Sequence, residues 1–311
     1  MMERVKKAIN FQNPDRIPLL FFNRDKEKSD IIMIDVVEHF DYEGTGKSEW
    51  GFQWNKIDDT MGQPDLPVIR TEDDLKRYTP PNPYTPNRFS HVKAEMEKYP
   101  DCYYLASLVL TGFTTTTFLR GFENTLTDLY DDEVLANAVA DLVFGFEEEV
   151  IKQLKNQGFH GIAFFDDWGT QDSLIISPDK WRAFYKPRYQ KLFTLAHSHG
   201  LDVYFHCCGN IIDIIPDLIE SGVDMLNISQ PNIFNIKKLG DDFRGKICFV
   251  CPISYQTTSI SGTREEIFDE AKMLTENLGA ENGGFIGYIE EYKSMGMSED
   301  NYKACAEAFF R

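Results

Sequence analysis

The sequence predicts an α/β fold of the (β/α)8 TIM-barrel type, built as one domain over residues 1–311 with an irregular rim or lid inserted at 41–87. Two observations carry this. Short apolar runs alternate with longer amphipathic segments from about residue 88 onward, and strand–helix–strand order with short connections makes a parallel sheet. The chain has 311 residues, 42% of them hydrophobic, which is enough for one barrel-sized core and suits closure better than an open sheet. No Gly-x-Gly-x-x-Gly follows the first strand, so a dinucleotide fold lacks its marker.

The elements follow in order. Residues 5–11 read as an amphipathic helix, Asn13-Pro14-Asp15-Arg16 as a turn, and 17–22 as an apolar strand. The rim holds Gly44, Gly46, Gly51 and Gly62 and the cluster Pro80, Pro81, Pro83 and Pro86. Alternation from Trp50 to Trp54 predicts a short exposed hairpin strand, and Thr71-Glu72-Asp73-Asp74 opens a short helix with acids in its first turn. Next come a helix near 89–98, a strand over 102–109, and helices over 116–129 and 132–157. Strands are expected at 161–165, 201–206, 223–228, 246–250 and 284–289. Between them lie helices at 178–199, 211–221, 235–239 and 263–278, and a last helix starts at Ser298.

Fifty acidic against 32 basic residues give a net charge of −18. That balance opposes a nucleic-acid groove or an anionic membrane surface and suits a protein that handles small molecules. No apolar run approaches a membrane span, and the N-terminus leads into a helix rather than a signal core. The six cysteines (Cys102, Cys207, Cys208, Cys248, Cys251, Cys305) are dispersed, which points to a reduced, cytoplasmic protein. A homodimer stays open.

In parallel barrels the chemistry sits where strands end. Those ends carry Asp166, Asp167, Trp168 and Gln171; then His206 and Cys208; then Asn227 and Gln230; then Cys251; and finally Glu290 and Glu291. His206 and Cys208 lie two apart on a strand, so they share a face while Cys207 takes the other. An imidazole and a thiolate side by side form half of a zinc-type site. Adjacent carboxylates at a buried rim cost desolvation unless something engages them, which marks Asp166 and Asp167. Cys207-Cys208 lacks the spacer of a zinc knuckle, so a four-thiolate site is not expected, and a catalytic site with three protein ligands fits better. His160, His197 and His199 read as structural, and His39 and His91 carry no signal.

Several of these residues resemble a known family. Asp166-Asp167-Trp168-Gly169-Thr170-Gln171, Ser177-Pro178, Lys186-Pro187-Arg188-Tyr189, His206-x-Cys208-Gly209-Asn210, Pro216-Asp217-Leu218 and Asn227…Gln230-Pro231 closely resemble the uroporphyrinogen decarboxylase superfamily. The branch they resemble includes the cobamide-dependent methyltransferases. The start, Arg4-Val5…Pro14-Asp15-Arg16-Ile17-Pro18, and the segment Leu119-Arg120-Gly121-Phe122-Glu123-Asn124 are similar as well. The resemblance implies a (β/α)8 barrel, zinc held by His206 and Cys208, and methyl transfer with a corrinoid carried on a partner protein. In that branch a further cysteine follows Gly-Gly-Tyr-Ile after four intervening residues; counted from Gly283-Gly284-Phe285-Ile286, that position here is Glu291, which becomes the expected third ligand, with Cys251 as the alternative. Asp166, Asp167 and Glu290 are then expected to act as acids, bases or orienting groups. Arg120, Trp168, Gln171, Asn227 and Tyr288 are expected around the substrate, with a structural salt bridge as the other reading of Arg120. True uroporphyrinogen decarboxylases carry an arginine-bearing N-terminal loop, whereas Pro18-Leu19-Leu20-Phe21-Phe22-Asn23-Arg24 holds one arginine. The expected function is zinc-dependent transfer of a methyl group between a small thiol or methylated substrate and the corrinoid protein. A metal-free lyase or decarboxylase and a non-enzymatic tetrapyrrole-binding protein are the alternatives.

Overall fold

Alternation of side chains along each strand, one face inward and one outward, organises the whole molecule. The computed structural model describes residues 1–38, 47–55, 62–64 and 66–310. Eight parallel strands form a nearly closed barrel: β1 (Leu19–Phe21), β2 (Ile31–Asp35), β3 (Tyr103–Ser107), β4 (Gly161–Asp167), β5 (Asp202–Cys208), β6 (Met225–Ile228), β7 (Cys248–Cys251) and β8 (Phe285–Ile289). Around the barrel each strand neighbours the one before and after it in sequence, and β1 pairs with β8. The seam between β1 and β2 is closed by polar groups. The Asp30 amide donates to the Leu19 carbonyl at 2.8 Å, and the Ser29 hydroxyl accepts from the Phe21 amide at 2.9 Å.

The inward residues are Leu20, Ile31, Leu105, Ala163, Tyr204, Met225, Val250, Ile286 and their neighbours, which form an apolar interior distinct from the larger core between strands and helices. Val5 and Ile9 from the helix Met2–Ile9 join that interior and plug the amino-terminal end of the barrel. Function is therefore left to the opposite, carboxyl-terminal mouth.

Cap chemistry sets the helix starts. Thr71 and Thr263 each form a reciprocal capping box, with Asp74 and Glu266, and Ser177 and Ser298 accept from the amides of Lys180 and Asn301. Four expectations need correction. The single helix expected over 116–129 is two, Gly112–Arg120 and Phe122–Asp131, broken at Gly121, whose φ of +88° is at ease only for glycine. The helix expected over 178–199 also divides, at Tyr185; Pro187 lacks the amide needed to continue a helix and sits in the first turn of the new one. Strand β2 has no counterpart among the predicted elements. Trp50 and Phe52, expected on an exposed strand, are buried, and the short hairpin pairs Trp54–Asn55 with Gln63–Pro64. Of the expected rim, 41–46, 56–61 and 65 lie outside the described residues, as does His39. Among the described residues, no helix is long and apolar enough to cross a membrane.

Candidate metal centre at the barrel mouth

Two adjacent strands bring the central group together. In β4 the inward positions run Ala163, Phe165, Asp167; in β5 they run Tyr204, His206, Cys208. Their register pairs Phe165 with His206 and Asp167 with Cys208. One ligand atom each from Asp167, His206 and Cys208 therefore lies within 4.8 Å of the other two. His206 Nε2 stands 3.5 Å from Cys208 Sγ and 3.9 Å from Asp167 Oδ1, and the Cys208 amide donates to that same Oδ1 at 3.2 Å.

The next strand fixes the imidazole. Register places Asn227 of β6 opposite His206. The Asn227 side chain is fully buried, and its Nδ2 donates to the Val250 carbonyl at 2.7 Å. A carbonyl can only accept, so Oδ1 is the atom that faces His206 Nδ1, at 2.6 Å. Nδ1 must then carry the proton. That leaves the Nε2 lone pair aimed at Cys208 and Asp167, the arrangement a metal-binding histidine requires.

The electrostatics of the mouth are one-sided. Burial, followed by the Asp167 charge, pushes the Cys208 thiol well above its ordinary pKa, and Ser229 Oγ lies 3.1 Å from its sulfur. Glu290 follows the inward positions Ile286 and Tyr288 by the same period of two, and so faces the mouth. It accepts from the Tyr288 hydroxyl at 2.8 Å and from Tyr292, and burial raises its pKa against the pull of those two hydrogen bonds. Tyr255 stacks on Tyr292 with ring centroids 4.5 Å apart and hydrogen-bonds with Ser229 and Gln230. Gln230 Oε1 accepts from the Gly209 amide at 2.9 Å and so holds the turn after Cys208.

Several expected site residues sit elsewhere. Glu291, one position past the inward phase, does not join the group; its carboxylate pairs with Arg24 at 2.7 Å. Cys251 points outward from β7 into the layer between strands and helices. Asp166 occupies the face of β4 opposite to Asp167. There it is 1% exposed and accepts from the amides of Phe113 and Thr114, the Thr114 hydroxyl and the Tyr189 hydroxyl, tying helix Gly112–Arg120 to the barrel. Its burial raises its pKa to about 7. Trp168 packs behind the mouth, stacked on Phe113 at 4.2 Å with its indole N–H donating to Tyr189. Arg120 is consumed by Asp128, at 2.6 Å, and by the Arg70 carbonyl, so the salt-bridge reading is the one the fold adopts. Gln171 is exposed in the turn after β4. Asn227 serves the histidine, and Tyr288 holds Glu290.

Ser229, Tyr255 and Tyr292 were not singled out from sequence. Ser229 and Tyr292 each lie two past a residue that was, Asn227 and Glu290, and the strand period could have found them. Tyr255, in the loop after β7, offers no comparable signal.

A family model for uroporphyrinogen decarboxylase (URO-D) matches residues 55–308. Among solved structures, a methyltransferase from Methanosarcina mazei is similar with a TM-score of 0.69 and 17% identity, covering 99% of this chain and 97% of that one, a likeness of fold. The GH18 chitinase ChiB of Flavobacterium johnsoniae is similar with a TM-score of 0.42 and 10% identity over 71% of this chain and 79% of that one. No curated protein matches the chain by sequence.

Proposed function

The chain belongs to the uroporphyrinogen decarboxylase family, and within it we propose a zinc-dependent methyltransferase that works with a corrinoid held by a separate protein. The observation that carries this reading is the convergence of Asp167, His206 and Cys208, with the histidine tautomer set by Asn227. The donor set suits zinc: one oxygen, one imidazole nitrogen and one sulfur, leaving a position for substrate. Charge supports it too. Burial disfavours the ionised forms of Cys208 and Glu290, and the Asp167 charge adds to the effect on the thiol, so a divalent ion at this mouth would let the thiolate form.

Asp167, His206 and Cys208 would hold the ion, and Asn227 would keep Nε2 free for it. Bound there, zinc supplies Lewis acidity, which either lowers the pKa of a substrate thiol or alcohol or draws charge from the leaving atom of a methyl donor. Glu290, poised by Tyr288 and Tyr292, would take or return the substrate proton at its carboxylate. Tyr255 and Tyr292 would shield the mouth from water. A small thiol or methylated compound fills the substrate role, and the corrinoid protein would dock over the mouth.

Decarboxylation of a polyanionic porphyrinogen is disfavoured by charge. Arg24, the one arginine of the N-terminal segment, is held by Glu291 and Glu299. The test is metal analysis of protein purified from zinc-replete medium, paired with loss of the methyl–cobalt absorbance when methylcobalamin and a small thiol are supplied. About one zinc per chain is expected, and it should be lost in Cys208→Ser. Metal-free wild-type protein would overturn the reading.

A further inference from the structure

Strand β6 brings a hydroxyl to the sulfur of the candidate metal group. Its register with β5 pairs His206 with Asn227 and Cys207 with Ile228, and one further step brings Ser229 to Cys208. Ser229 Oγ stands 3.1 Å from Cys208 Sγ, and at 6% exposure the residue leaves little room for water to compete. A cysteine that ligates a metal is a thiolate, which carries no proton and only accepts. With metal bound, the single Ser229 hydroxyl proton therefore points at the sulfur, and Ser229 Oγ becomes the acceptor for its other neighbour, Tyr255. The Tyr255 proton is then committed to Ser229, so the bond between Gln230 and Tyr255 runs from Gln230 Nε2 to the tyrosine oxygen. Gln230 Oε1 already faces the Gly209 amide, at 2.9 Å, which leaves Nε2 for that bond. Every group in the row donates toward the sulfur, and such rows polarise cooperatively.

We propose that Ser229 is a positioning residue of the metal centre: its hydroxyl, backed by Tyr255, donates to the Cys208 thiolate, orients the sulfur toward the ion and draws electron density from it. This rests on the zinc reading above and adds a control on how strongly the metal acts as a Lewis acid. A hydrogen bond to a thiolate is charge-assisted, and it weakens the sulfur as an electron donor to the metal. The group Asp167, His206 and Cys208 holds one sulfur, so density withdrawn there is passed on to the ion and to whatever fills its open position. Tyr255 also stacks on Tyr292, which hydrogen-bonds with Glu290, so one tyrosine pair joins the thiolate to the carboxyl at the mouth.

The test replaces zinc with cobalt(II), which takes the same kinds of ligand and whose thiolate-to-metal charge-transfer band reports the electron density on the sulfur. At saturating cobalt, Ser229→Ala should move that band to longer wavelength, and Ser229→Thr, which keeps the hydroxyl, should return it to the wild-type position. Tyr255→Phe, which leaves Ser229 in place, should give a smaller shift in the same direction. Zinc affinity of Ser229→Ala, measured by competition with a chromophoric chelator, should fall about tenfold. An unmoved band in Ser229→Ala and Tyr255→Phe, or failure of Ser229→Thr to restore it, would overturn the proposal and leave the zinc reading standing. A wild-type chain that shows no charge-transfer band with cobalt supplied would sink the zinc reading, and this proposal with it.

Discussion

The backbones of Gly169 and Gly209 cross so closely that a methyl group on Gly209 would stand 2.0 Å from the Gly169 carbonyl oxygen. The Gly169 amide donates to the Cys208 carbonyl at 3.2 Å, and the Asn210 amide to the Thr170 carbonyl at 2.7 Å. These two turns directly follow Asp167 and Cys208, so the crossing holds two residues of the candidate metal group at a fixed separation. Gly209 also has a φ of +79°. Gly209→Ala is therefore expected to part the two strand ends, to lower the melting temperature, and to lose most of its zinc. Full zinc occupancy by elemental analysis would show that the crossing does not set the site.

Removing the acid should separate the two candidates for third ligand. Asp167→Ala should lose zinc, whereas Glu291→Gln should keep it and change the melting temperature little, as expected for a solvent-screened pair with Arg24. Metal loss in Glu291→Gln with retention in Asp167→Ala would reverse the assignment.

Asn227→Ala frees the imidazole to rotate and to change tautomer. Zinc affinity, measured by competition with a chromophoric chelator, should fall about 10- to 100-fold while the fold persists. An unchanged affinity would show that the hydrogen bond at Nδ1 plays no part in holding the ligand.

Asp166 predicts a pH signature away from the mouth. Its folded pKa of about 7 lies above its ordinary value of 3.8, because burial disfavours the charged form. The folded state then holds the proton more tightly than the unfolded chain, so stability from this group is complete below about pH 4 and declines as pH rises toward 7. Buried Glu147, raised in the same direction, adds to the trend. The melting temperature of metal-free protein should fall between pH 5 and pH 8, and Asp166→Asn should flatten part of that fall. Equal slopes for the two proteins would refute this.

Much of this architecture is legible locally. The helix N-caps at Thr71, Ser177, Thr263 and Ser298 and most barrel strands follow from patterns only a few residues long. The shared face of His206 and Cys208 needs only the strand's period of two, which neighbours cannot change. Strand β2 escaped because its five residues show no alternation and follow a charged turn, so periodicity gave nothing to separate it from a loop.

What the sequence could not decide is phase and register. Asp166 and Asp167, like Glu290 and Glu291, are adjacent acids, and a shift of one residue moves a side chain from the interior of the barrel to its outer face. Pairing with flanking strands sets that phase, placing Asp167 beside Cys208, Asn227 beside His206, and Glu291 on Arg24. The sequence alone determined the barrel, its working end, and the imidazole and sulfur that stand together there. Only the tertiary structure decided which carboxylate joins them, because that contact is made between strands rather than along one.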